Sequence, residues 1–345
     1  VLIRDGRRAI DFVCNNAPML MPLYFLRVPV ISFAAVIAVA CDGGSAEINE
    51  SFSMPDAMGP GMALVPDSDL TVPGPGYTAP GALAFRVVDG TNGAVVPPAV
   101  FWQALSVARF VCAGEVHDDF FAHSLQYLVV RTLGAAQPRG LTIAFEQFEV
   151  GFQSVLDQFA AGLVDETQLL AQTQYETRWG FDWPLYRPIV LLGPQRTHPL
   201  LAVNPAQELT RKVSESGLVS LTPAEQSQLP ELDLTQNAHR EWFRAQISGA
   251  HGVVTGERFE RLYASQVIRD ETMAAQIVGR LAKPGAERVV GVIGFGHCVR
   301  HGAPLRAARR GLTGILTFRT ALPNQSSVDE ALAGGLYDFV VVPGP

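Results

Sequence analysis

VARFVCAGEVHDD (107–119) is the stretch on which the fold turns. Its first half is an apolar run with little of the alternation a half-solvated strand shows, so it predicts a strand buried on both faces, as in a parallel sheet. ERVVGVIGFGH (287–297) repeats the pattern near the far end of the chain. Each run ends on a glycine-led polar motif, GEVHDD (114–119) in one case and GFGH (294–297) in the other. Open parallel sheets bind ligands in the crevice at the carboxyl ends of their strands. Glu115, His117 and His297 are therefore expected to face one crevice.

The neighbouring segments extend the same architecture. LAFRVVDGTNGAVV (83–96) reads as a hairpin-like entry with turn signals at Asp89-Gly90 and Asn92-Gly93, and Pro98 then opens a short helix. FFAHSLQYLVVRTLG (120–134) carries a helical stripe of Phe121, Leu125, Leu128 and Leu133, with Gly134 as its expected stop. LTIAFEQF (141–148) is the next strand, and it should set Glu146 on the same sheet edge as Glu115 and His117. A helix is expected from near Phe152, and another capped by Asp165 with Gln168. HPLLAVN (198–204) reads as a strand, and nothing from Pro205 to about Leu281 does. TPAE (222–225) is a capping box with proline at the first helical position, and 258–285 forms the last long helix. RVVGVIG, LTGILTF and YDFVVV supply the closing strands. The predicted class is α/β: a mostly parallel central sheet flanked by helices, with a helical subdomain inserted over about 205–281 and the domain spanning 83–345.

Composition agrees with a globular core, since 48% of the 345 residues are hydrophobic and 17% charged. The net charge of -7 and the scattered Lys and Arg residues give no basic stripe, so nucleic acid is excluded as an expected partner. Ahead of the domain, MPLYFLR is followed by VPVISFAAVIAVA (28–40), thirteen apolar or small residues, and then Cys41. That is too short to span a bilayer, which needs about 20 residues, and it reads as a signal peptide over 19–40. AVAC (38–41) resembles a bacterial lipobox, which implies cleavage before Cys41, its lipidation and a membrane anchor facing the periplasm. Residues 1–18 read as an over-long start, and 41–82, dense in Gly, Pro, Ser and Asp, as a flexible tether.

In the domain, Cys112 and Cys298 both fall near the crevice. A disulfide is chemically permitted outside the cytosol; the expectation is nonetheless two buried, unpaired thiols. No CxxC pair supports a structural zinc site. The chain has no GxSxG, HExxH, Walker or deaminase signature. GFGHCV departs from a dinucleotide loop, with Val299 at the third glycine position and Phe318 where a ribose-binding acid would stand. Imidazole and carboxylate together suit a divalent transition metal, with Glu115, His117 and His297 as ligands and Glu146 as a further ligand or the base acting on a bound water. One histidine alone reads as a hydrogen-bonded strand-end residue; the convergence of four polar groups points to a functional pocket.

The ordered set GEVHDD, W…WPLYRPI, LAVNP, YASQVIRDETMA and GFGH resembles the ChaN-like haem-binding lipoproteins of the Tiki superfamily, over about 83–345. The resemblance implies a periplasm-facing lipoprotein that binds haem in iron acquisition, as a homodimer sandwiching haems between protomers. Family members use tyrosine on iron, which makes Tyr263 the candidate ligand and Tyr186 the second, with His117 and His297 as further haem contacts. The wider superfamily contains metal-dependent proteases and erythromycin esterases, similar at Glu115, His117, Glu146, Arg269 and His297. That implies, as the alternative, a metal-dependent hydrolase in which Arg269 stabilises an oxyanion. The structural reading of Arg269 is an ion pair with Asp270 or Glu271.

Overall fold

The computed structural model describes residues 2–4, 7–9, 83–136, 140–251 and 254–344. The chain divides into two units, Val1–Gly43 and Gly44–Pro345. In the first, β1 (Leu2–Arg4) pairs antiparallel with β2 (Arg7–Ala9). The signal peptide, Cys41 and the tether lie outside the described residues.

Eight strands of the second unit form one sheet: β3 (Phe85–Asp89), β4 (Val95–Val96), β5 (Phe110–Glu115), β6 (Leu141–Glu149), β7 (Leu200–Asn204), β8 (Arg288–Gly294), β9 (Ile315–Thr320) and β10 (Phe339–Pro343). Their order is β4-β3-β10-β9-β5-β8-β6-β7. Every pair from β10 to β7 is parallel, and β3 alone of this sheet runs against the rest, pairing antiparallel with both β10 and β4. The fold is α/β, a mostly parallel sheet flanked by helices.

Every residue of β5, β6 and β8 is buried, which accounts for their unalternating sequences. Successive side chains still point to opposite faces. Val111, Ala113, Ile143, Phe145, Val290 and Val292 join one cluster with Leu125, Val129 and Leu133 of helix Phe120–Ala136. Phe110, Cys112, Ala144, Val289 and Ile293 join another with Met273, Ala274, Ile277 and Leu281 of helix Gly256–Leu281. Each such aliphatic or aromatic side chain contributes about 1.5–3 kcal/mol on burial. The acidic residues of these strands, Glu115, Glu146 and Glu149, all fall toward their carboxyl ends.

Three local expectations change. Helix Phe120–Ala136 runs past Gly134, because that glycine serves packing: a Cβ there would lie 2.5 Å from His198 Nε2. The TPAE capping box forms as expected but opens a single turn, Pro223–Gln226. Cys112 and Cys298 are joined in a disulfide, not free, because the turn after β8 folds back over β5 and brings their Cα atoms to 5.4 Å. Between β7 and β8 the described residues hold no strand, and helix Gly256–Leu281 packs both on the sheet and, through Ala264 and Ile268, on Leu209 and Val213. No helix among the described residues is long and apolar enough to cross a membrane.

The strand order matters most for chemistry. β8 is inserted between β5 and β6, strands that are neighbours in sequence. Its register sets Gly294 beside Glu115 and Val292 beside Phe145, so β5 and β8 end level and Glu146, next after Phe145 in the longer β6, falls beside that edge.

Candidate functional site

Glu115, the last residue of β5, is 1% exposed and heavily bonded. Its Oε1 accepts from Tyr186 Oη at 2.9 Å and Gln147 Nε2 at 3.2 Å, and its Oε2 accepts from Gln126 Nε2 at 2.8 Å. His117 Nδ1 lies 3.0 Å from Oε1. A carboxylate only accepts, so Nδ1 carries the proton, and Nε2 has no hydrogen-bond partner among the described residues. Burial disfavours charge on His117, but the bond to Glu115 and the nearby Glu146 carboxylate outweigh it and raise its pKa above 6.5. Its side chain keeps 29% exposure, with the rings of Trp179 and Phe181 centred 4.7 and 4.8 Å away. Behind it, buried His123 places Nε2 3.0 Å from the His117 carbonyl.

Across β8, Glu146 Oε2 accepts the Gly294 N–H at 2.6 Å, and Oε1 lies 3.4 Å from His297 Nε2. His297 Nδ1 donates to Asp270 Oδ1 at 2.6 Å. Gln266 also reaches Nδ1, at 3.0 Å. Burial opposes charge on both Glu146 and His297, yet their mutual attraction and the hydrogen bonds prevail. The Glu146 carboxyl is held down at about 2 and the His297 imidazole is raised to about 9, an ion pair across neutral pH. Behind Asp270, His239 Nε2 stands 3.3 Å from Oδ2, while its Nδ1 accepts from Arg306 at 3.2 Å. Burial pushes His239 down to about 4.

Gly294 joins the two halves. A Cβ on it would lie 2.8 Å from His117 Cε1 and 3.3 Å from Glu146 Oε2, so only glycine lets both side chains close over the end of β8. Glu115, His117, Glu146 and His297 thus share one small region.

They do not form the metal set expected of Glu115, His117 and His297, and no group of three such residues placed to hold a metal occurs among the described residues. Both Glu115 oxygens are filled by protein donors, and His297 is held between two carboxylates. Arg269 pairs with neither Asp270 nor Glu271: Nη1 donates to Ser265 Oγ at 2.7 Å and Nη2 to Thr210 Oγ1 at 3.2 Å. Asp270 is taken by His297, and Glu271 by Arg306 and Arg310. Tyr263 is not turned to the crevice: it is 1% exposed, stacked on Phe259, and donates its hydroxyl to the Gln236 carbonyl at 3.2 Å. Tyr186 is equally buried and spends its hydroxyl on Glu115.

Nothing in the sequence pattern marks Gln126, Gln147, Gln266 or His239, and Asp270 stands out in it only as a partner for Arg269. Asp270 alone left a trace, an acid inside the amphipathic pattern of a long helix. A single glutamine or histidine, whether on a helix or, like Gln147, within β6, carries no pattern that marks it as a support for the residues at the site.

A family model described as "Haem-binding uptake, Tiki superfamily, ChaN" matches residues 101–306. Among solved structures, one of cofacial heme binding to ChaN of Campylobacter jejuni is similar with a TM-score of 0.59 and 16% identity, covering 76% of this chain and 97% of that one. An erythromycin esterase mutant, EreC, in its open conformation gives a TM-score of 0.40 at 13% identity, over 76% and 83% of the two chains. The type III effector HopBA1 gives 0.42 at 12% identity, over 76% and 97%. The first likeness speaks to the fold. No curated protein matches the chain.

Proposed function

The chain belongs to the haem-binding uptake family of the Tiki superfamily, ChaN, matched over more than half its length, and on that premise we propose that it binds haem at the mouth of the strand-end crevice. The observation that carries this reading is His117. Its ring is oriented by Glu115, its Nε2 has no hydrogen-bond partner among the described residues, and Trp179 and Phe181 flank it. Val116 and Phe181, each 37% exposed, add apolar surface of the kind a porphyrin face covers. Imidazole nitrogen suits haem iron. His297 does not fit that role, because both its nitrogens face carboxylates, and neither do Tyr263 and Tyr186, whose hydroxyls are committed inside the core.

The finer reading is an envelope lipoprotein in haem or iron uptake, anchored through a lipidated Cys41, facing the periplasm, with haems held between two protomers. The lipobox-like AVAC supports the anchor. The Cys112–Cys298 bond supports an oxidising compartment, where disulfides persist.

Haemin titrated into the purified protein tests the central claim. The expected result is a shifted Soret band that saturates stoichiometrically, with affinity lowered at least about tenfold by His117→Ala, the loss of one coordination bond. Protons compete for Nε2, so affinity should also fall with decreasing pH through the raised His117 pKa. Absence of a specific shift, or identical titrations for wild type and variant, would reject this site.

A further inference from the structure

A cavity of about 180 Å³ lies beside the cluster, lined by Glu146, Gln147, Phe152, Asn204, Pro205 and Arg269 among others. At roughly 30 Å³ per water it holds the volume of about six waters. That is too small for a porphyrin and suited to a small organic molecule.

Its charged side chains are not all paired directly. Glu146 is matched by His297 and the Gly294 N–H, and Glu149, also in the lining, by Arg178 at 2.8 Å. Arg269 is bonded only to the neutral Ser265 and Thr210, and no carboxylate among the described residues lies within ion-pair distance. A partly buried guanidinium without a directly bonded counter-charge is costly: burial lowers the Arg269 pKa, although the Glu146 and Asp270 carboxylates, beyond ion-pair distance, act to raise it. Two acceptors are also left over. Gln147, 5% exposed, commits its Nε2 to Glu115, which fixes the amide and leaves Oε1 buried without a donor. Asn204 Oδ1 is likewise buried and unpartnered. The lining therefore presents a guanidinium with no directly bonded anion and two buried acceptors without donors.

We propose that this cavity binds a small hydroxylated carboxylic acid, its carboxylate on Arg269 and its hydroxyls donating to Gln147 and Asn204. A bare carboxylate would leave both acceptors unpaired, and a polyol would leave the guanidinium unmatched. Each half of the ligand answers a separate deficit.

Isothermal titration of the full chain with D-glycerate, propionate and glycerol, in the absence of haem, tests this whether or not haem binds. Glycerate should saturate at one equivalent and bind at least about tenfold more tightly than either comparator, since each lacks one of the two interactions. Arg269→Gln should weaken glycerate at least about tenfold, the charge-assisted bonds being lost. Should that variant fail to fold, as judged by circular dichroism, Asn204→Leu serves instead and should narrow the preference for glycerate over propionate, one of the two acceptors being lost. Absence of glycerate binding, equal binding of glycerate and propionate, or unchanged binding by folded variants would overturn the proposal. If glycerate fails to bind while haem dimethyl ester binds more weakly than haem, and Arg269→Gln removes that difference, the guanidinium serves a haem propionate and the proposal also falls.

Discussion

Replacing Asp270 by asparagine removes the carboxylate 2.6 Å from His297 Nδ1 while keeping the size of the side chain. In the native protein the His297 pKa is raised from 6.5 to about 9, against a burial effect that lowers it, first by the Glu146 charge and then by Asp270. At 1.36 kcal/mol per unit, that shift amounts to roughly 3 kcal/mol favouring the imidazolium. Glu146, lowered from 4.5 to about 2, reports much of the same attraction from its other end, so the two are not summed. The signs are opposite. His297 contributes stability that is full below pH 6.5 and lost as pH rises through about 9, whereas Glu146 contributes stability present above pH 4.5 and lost as pH falls toward 2. The pair should therefore be most stabilising between pH 4.5 and 6.5. Imidazole NMR of wild type and Asp270→Asn measures the titration directly, and urea unfolding at mildly acid and alkaline pH measures its consequence. The variant's His297 pKa should fall by at least about one unit, or about 1.4 kcal/mol, and its alkaline loss of stability should shrink accordingly. Wild-type His297 titrating near 6.5, or a pKa unmoved by the substitution, would refute this account of the ion pair.

Two further outcomes are expected. Gly294→Ala places a Cβ 2.8 Å from His117 Cε1, so the imidazole must shift; haemin affinity should drop about tenfold and stability by about 1–3 kcal/mol, checked by Soret titration and urea melts. Equal affinity in the variant would show that the ring is not held there. Replacing Cys112 and Cys298 together by alanine opens a crosslink spanning 186 positions, which loop-closure entropy values at about 5 kcal/mol as an upper figure. A matched fall in the urea midpoint is expected, and free thiols in the unreduced native protein would contradict the bond itself.

Residue patterns announced the strands because burial on both faces requires unbroken apolar runs, and VARFVCA, LTIAFEQ and ERVVGVI have little else to be. Those patterns also placed Glu115, His117, Glu146 and His297 at strand ends. Partners were harder to read. Gln126 and Asp270 matter through the rotation of their helices against the sheet, and Tyr186 through the arrival of helix Trp183–Arg196 over Glu115. None of those angles is encoded within a short window. Gly134 looked like a helix stop because its packing partner, His198, is remote in sequence.

The sequence by itself determined that the chain builds an α/β sheet with acidic and imidazole groups at its carboxyl edge, since that follows from local periodicity and from which residue ends each run. Only the tertiary structure decided that β8 enters between β5 and β6, setting Gly294 level with Glu115, His297 against Glu146, and Cys298 on Cys112. Apolar strands are nearly interchangeable in composition, so their order is settled by packing across the whole molecule. The chemistry of the site is settled with it.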